Sequence, residues 1–153
     1  MRALEDFIEN IRNEQTSQLP KDGIVHELTS NVLIFLEHLA DYMDTVALIL
    51  AQDPTYGNPI GFNKNLDENA RRQYMGMYIK RVLQQLNLTL VTCSDLYYES
   101  SLKAIFRLNN ACYILKCLEG SVLMELIRTK EPDSQKNYLD MMDDQKKAYL
   151  NAT

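Results

Sequence analysis

The chain has 153 residues, of which 46% are hydrophobic and only nine are Gly or Pro, five of the first and four of the second. That is enough for one domain with a real core, and it excludes a disordered tail. The formal net charge of −5 argues against nucleic acid as the main partner, and the lack of any apolar run of ~18 residues argues against a membrane span.

The acidic start, Met-Arg-Ala-Leu-Glu-Asp, has no signal-peptide profile. Leu4, Phe7, Ile8 and Ile11 predict an amphipathic helix from Met1 to about Ser17. Residues 18–23 carry Pro20 and Gly23 and predict a turn between antiparallel neighbours. From Gly23 to Gln52 no Pro or Gly interrupts the chain. Val25, Leu28, Val32, Phe35, Leu39, Tyr42, Val46 and Ile49 form one stripe, and Leu33, Leu36, Ala40, Met43, Ala47 and Leu50 form a second beside it. This predicts one unbroken helix of roughly 40 Å that serves as the spine of a bundle. On that reading Phe35→Ala costs ~3–5 kcal/mol.

Residues 53–65 are the one clear loop, with two Pro, two Gly and three Asn. It is either a partner-binding loop anchored by Tyr56, Ile60 and Phe62, or a surface crossover that tucks these residues onto the bundle. A third helix begins near Leu66, capped by Asn65 or Asp67, with Tyr74, Tyr78, Ile79, Val82, Leu83, Leu86 and Leu90 inward. Arg71, Arg72, Lys80 and Arg81 lie off that stripe, and no acid occurs between Asn69 and Ser94. These bases either meet an anionic lipid head group or acidic partner, or pair with the acidic face of the first two helices. Charge counts suit the second reading: residues 1–53 carry net −7 and residues 54–118 net +4.

Residues 94–100 break the pattern. A fourth helix runs from about Ser100 to Leu118, with Leu102, Ile105, Phe106, Cys112, Tyr113 and Leu118 inward. Asn109 and Asn110 fall in its middle, where Asn is a poor helix former, so one of them should bond a neighbour's backbone. Gly120 suits a left-handed C-terminal cap. A short helix over Val122–Thr129 and a last, exposed one after Glu131-Pro132-Asp133-Ser134 follow, the latter with Tyr138, Leu139, Met142 and Tyr149 as a sparse stripe. There is no strand signal. The expected fold is all-α: residues 1–153 as one antiparallel helical bundle, forming one layer of an elongated rod.

Chemistry is hard to find. His26-Glu27 begins a zinc-protease pattern, but Ser30 stands where the second histidine belongs, and His38 lies over three helical turns away. Cys93, Cys112 and Cys117 fit no disulfide or zinc framework and read as reduced, mostly buried small apolar residues. No phosphate loop or nucleophile elbow is present. No catalytic residue, metal or cofactor is expected.

The stretch His26-Glu27-Leu28-Thr29-Ser30-Asn31-Val32, after Asp22-Gly23 and before Phe35-Leu36, resembles a hallmark of the exocyst seventy-kilodalton subunit family (exocyst complex component seven). Ala3-Leu4-Glu5-Asp6-Phe7 before it, and Ala104-Ile105-Phe106, Asn109-Asn110 and Tyr113-Ile114-Leu115-Lys116 after it, match in the same order. The resemblance implies an interior layer cut from a longer rod of stacked helical bundles. It implies a non-enzymatic subunit of the complex that tethers secretory vesicles to the plasma membrane. Implied partners are other exocyst subunits and small GTPases, and implied localisation is cytoplasmic, peripheral at exocytic sites. The family binds phosphoinositides through a basic patch near its C-terminus, beyond this segment, and no lipid-binding residue carries over. The alternative is a membrane-surface module that uses the basic 71–81 stretch.

Overall fold

The computed structural model describes residues 2–13, 25–53 and 67–152. Among them are seven helices and no strand: α1 (Arg2–Asn13), α2 (Glu27–Ala40), α3 (Met43–Ala51), α4 (Glu68–Ser94), α5 (Ser100–Glu119), α6 (Leu123–Arg128) and α7 (Ser134–Ala152). The fold is an all-α bundle, as the periodicity predicts. The expected turn at 18–23 and nearly all of the loop at 53–65, with Tyr56 and Phe62, lie outside the described residues.

The long elements alternate in direction. In α1 and α4, Tyr78 Oη donates to Leu4 O at 2.8 Å and Thr89 Oγ1 to Ile11 O at 3.3 Å, so these two run parallel. Asp44 in α3 meets Arg71 near the start of α4, while His26, just before α2, packs near Phe106, which itself touches Tyr97 just past the end of α4. The spine therefore runs opposite to α4. Gln135 Nε2 reaches Glu119 Oε1 at 2.9 Å, while Met141 and Gln145 lie against Arg107 and Asn110, so α7 returns antiparallel along α5.

Two expectations about the spine are corrected. First, the run from 23 to 52 is not one helix. At Asp41 and Tyr42 the backbone N–H groups bond three residues back, to His38 O and Leu39 O at 3.1 and 3.0 Å. Tyr42 leaves helical geometry, at φ −111° and ψ 29°. Its side chain, placed inward by the period, is 69% exposed. The break swings α3 so that Val46, Ala47, Leu50 and Ala51 bury against α4. Two apolar stripes lie side by side along the run, so the 3.6-residue period continues through a break that changes the packing partner, and no Gly or Pro marks it. Second, the centre of the bundle is α4. It packs on α1, α2, α3, α5 and α6, and reaches α7 where Asn87 Nδ2 donates to the Tyr138 hydroxyl at 3.1 Å. Met75, Tyr78, Ile79, Val82, Leu83 and Leu86 are all buried.

Smaller corrections have local causes. Gly120 sits at φ −82°, in no left-handed conformation, because its N–H bonds Lys116 O and closes α5 without reversal. Val122 and Leu139 are about half exposed: Val122 is the N-cap ahead of α6, and α7 buries only Ser134 and Tyr138 along one narrow side. Cys93 is buried, but Cys112 and Cys117 are partly exposed on the flank of α5.

Candidate functional site

The most built feature is a buried polar node between α2 and α5. His26 is the N-cap of α2, and its Nδ1 accepts from Leu28 N at 2.9 Å. An imidazole nitrogen that accepts this bond carries no proton, so His26 acts there as a neutral cap. Its own backbone N–H donates to Asn110 Oδ1 at 3.0 Å. Thr29, fully buried one turn on, donates its hydroxyl to the same oxygen at 2.7 Å. Asn110 Nδ2 donates to Phe106 O in its own helix at 2.7 Å. The Phe106 ring closes the node, edge-on to His26 with centroids 6.3 Å apart. Every member is buried and partnered, which makes such a network rigid and specific to one pairing of helices. The His26-Glu27 pair is thus accounted for by capping, and Asn110 is the mid-helix asparagine that bonds a neighbour. The buried Thr29 was not singled out by sequence; a threonine inside an apolar stripe is its only signal.

The basic face of α4 is tied to its surroundings. Arg81 forks onto Glu5 of α1 at 2.8 and 3.4 Å, Arg71 pairs with Asp44 of α3 at 2.9 Å, and Arg72 pairs with Glu125 of α6 at 3.2 Å. Lys80 is half-buried on the same helix. The structure thus brings α4's arginines to acids on three different helices. Tyr56 and Phe62 cannot be placed beside them.

Periodicity also missed Gly76. A Cβ there would collide with the carbonyl oxygen of Leu126 and stand 2.5 Å from Thr129 Oγ1. The missing side chain is what lets α6 lie directly on α4. A lone glycine inside a strong helical run is the signal for such a close approach.

Little here is reactive. Burial pushes the Cys117 thiol up, against the opposing effect of its hydrogen bond from Tyr113, and a protonated thiol is a poor nucleophile. Burial likewise pushes the Tyr138 hydroxyl up to about 12. A cavity of about 70 Å³ lies among α4, α5 and α7, lined by Leu90, Val91, Ala111 and Met141 with Asn87 and Arg107. It has the volume of an unfilled packing gap, and its lining mixes apolar side chains with Asn87, Arg107, Asn110 and Gln145. Among the described residues no group of three or more His, Cys, Asp or Glu could hold a metal, and no helix is long and apolar enough to cross a membrane.

Comparison with known proteins gives these features a context. All of residues 1–153 match the family model for the C-terminal part of the Exo70 exocyst complex subunit. Exocyst complex component 7 of Drosophila melanogaster is 37% identical over 97% of this chain and 23% of its own length. Exocyst complex component 7 of Homo sapiens is 36% identical over 97% of this chain and 20% of its own. Exocyst complex component EXO70A1 of Arabidopsis thaliana is 27% identical over 80% of this chain and 17% of its own. The chain therefore spans about a fifth of the length of these relatives. With its helical bundle and its match along the whole sequence, the chain belongs to the C-terminal family of the Exo70 exocyst complex subunit.

Proposed function

We propose that this chain is a load-carrying layer of an exocyst subunit that acts in vesicle tethering during exocytosis. It performs no chemistry; it holds interaction surfaces at fixed separation. The observation that carries this reading is the match of the whole chain to one exocyst subunit family. The architecture supports it: polar groups between α2 and α5 are spent on one another, and α4's arginines are spent on neighbouring helices. The partners are other exocyst subunits and small GTPases. The site of action is the cytoplasmic side of the plasma membrane, reached peripherally. Residues 1–153 work as one unit, and any lipid contact in the full subunit is made elsewhere than at Arg71, Arg72, Lys80 and Arg81.

The test uses the full-length subunit. Leu36→Asp places a charge in a fully buried position and should abolish co-purification with the other exocyst subunits. Lys136→Glu, on the exposed side of α7, should leave it intact. Normal assembly of the Leu36→Asp subunit would show that this layer does not carry the scaffold.

A further inference from the structure

The connection between α4 and α5, residues 95–99, holds two adjacent tyrosines with opposite surroundings. Tyr97 is 8% exposed, and its ring lies 5.3 Å from that of Phe106. Tyr98 is 103% exposed, so its whole phenol stands in solvent. The anchor explains the contrast. Backbone N–H groups of Asp95, Leu96 and Tyr97 bond Thr92, Cys93 and Ser94 carbonyls, carrying the turn inward to Tyr97. The chain then leaves helical geometry before Ser100 starts α5, and Tyr98 is thrown to the opposite side.

The chemistry around Tyr98 is acidic on both sides. Asp95 lies three residues before it and Glu99 directly after it, both exposed. One to two turns into α5, Lys103 and Arg107 approach Asp95 at 3.9 and 3.3 Å. Glu99 caps α5 by backbone position, with no side-chain cap bond. An exposed tyrosine between carboxylates, on a non-helical connection, offers an acid-preferring tyrosine kinase an accessible phenol and charges for its basic cleft.

We propose that Tyr98 is a phosphorylation site for a protein tyrosine kinase of that class. The phenol oxygen attacks the γ-phosphorus of Mg-ATP. A new oxygen–phosphorus bond forms, the bridging β–γ bond breaks, ADP leaves with its electron pair, and the phenolic proton passes to the kinase's catalytic carboxylate. The phosphate brings about −1.5 to −2 charge to the N-terminal end of α5, where the helix dipole favours it. It competes with Asp95 for Lys103. Leu96, 61% exposed beside it, makes the corner an apolar contact point that the phosphate turns strongly anionic. Tyr42 has Asp41 and Asp44 near it, but it is less exposed and sits in a two-residue break between helices. It serves as the internal comparison.

The test is to treat the intact folded chain with Mg-ATP and an acid-preferring tyrosine kinase domain, and to map phosphate by tandem mass spectrometry over time. Tyr98 should be modified first, at least roughly tenfold faster than Tyr97, whose phenol is reached only through local opening. Tyr98→Phe should remove that early phase while the circular dichroism stays unchanged. Early modification at Tyr42 in place of Tyr98, equal rates at Tyr97 and Tyr98, or no incorporation at Tyr98 into folded chain would each overturn the proposal.

Discussion

Thr29 Oγ1 donates to Asn110 Oδ1 at 2.7 Å across 81 residues of sequence, and both side chains are buried. The same oxygen takes the His26 backbone N–H. Asn110→Ala strands two donors in the interior. Each orphaned group costs ~1–3 kcal/mol, so a loss of about 2–6 kcal/mol is expected. Thr29→Val removes a donor but leaves His26 its acceptor, and should cost less. Urea unfolding of both variants checks the order; equal stability of Asn110→Ala and the parent would mean that the node does not hold α2 to α5.

Gly76 makes a second prediction with an unusual sign. In an open helix, Gly→Ala gains up to ~1 kcal/mol. Here the added methyl meets backbone, the Leu126 carbonyl, which cannot rotate away. Gly76→Ala should destabilise by about 1–3 kcal/mol and loosen α6 from α4. A raised melting temperature would show that α6 yields freely.

Burial separates two neighbours in α2. Leu36 has no exposed surface, whereas Phe35 is only partly buried and stacks on Phe7, with centroids 3.9 Å apart and planes at 22°. The cost of ~3–5 kcal/mol expected for Phe35→Ala from sequence is therefore lowered to ~1–3 kcal/mol, while Leu36→Ala should cost ~2–5 kcal/mol. Thermal unfolding of the pair tests the ranking, and a Phe35→Ala loss larger than that of Leu36→Ala would reverse it.

Tyr138 links stability to pH. Burial raises its folded value to about 12, above the ordinary value of ~10 for an unfolded chain. A raised value means that the native state holds the proton more tightly. The stabilisation is complete below pH ~10 and is lost as pH climbs through about 12, and it amounts to at most on the order of 2–3 kcal/mol. Tyr138 lies on α7 and accepts from Asn87, so α7 should come off α4 and α5 first. Tyr138→Phe should flatten stability between pH ~10 and ~12 at some cost at neutral pH. An unchanged alkaline slope in that variant would assign it to other groups.

The sequence disclosed as much as its local rules encode. Helix α4 was readable because cap and period agree, with Asp67 as cap (its carboxylate accepts from Ala70 N at 2.7 Å). The start of α5 at Ser100 was readable from the break before it, but of its expected inward stripe Phe106 and Leu118 are buried while Leu102, Ile105, Cys112 and Tyr113 are only partly so. Asn110 was readable as a mid-helix asparagine in need of a partner. The break at Asp41-Tyr42 was not, because it is set by where α4 lies and not by any residue at the break. Gly76 and Thr29 were missed for a related reason: each matters through what a distant helix brings to it. The ion pairs Arg81–Glu5 and Arg71–Asp44 follow the charge imbalance along the chain, but Arg72–Glu125 depends on α6 folding back over α4.

The most direct measurement is co-sedimentation of the intact chain with liposomes containing phosphatidylinositol 4,5-bisphosphate, at low and at physiological salt. If α4's arginines are consumed by Glu5, Asp44 and Glu125, no binding persists at physiological salt, and Arg71→Glu with Arg72→Glu changes stability but not sedimentation. Binding that survives physiological salt and disappears in that double variant would contradict a purely structural layer and make α4 a membrane-reading surface.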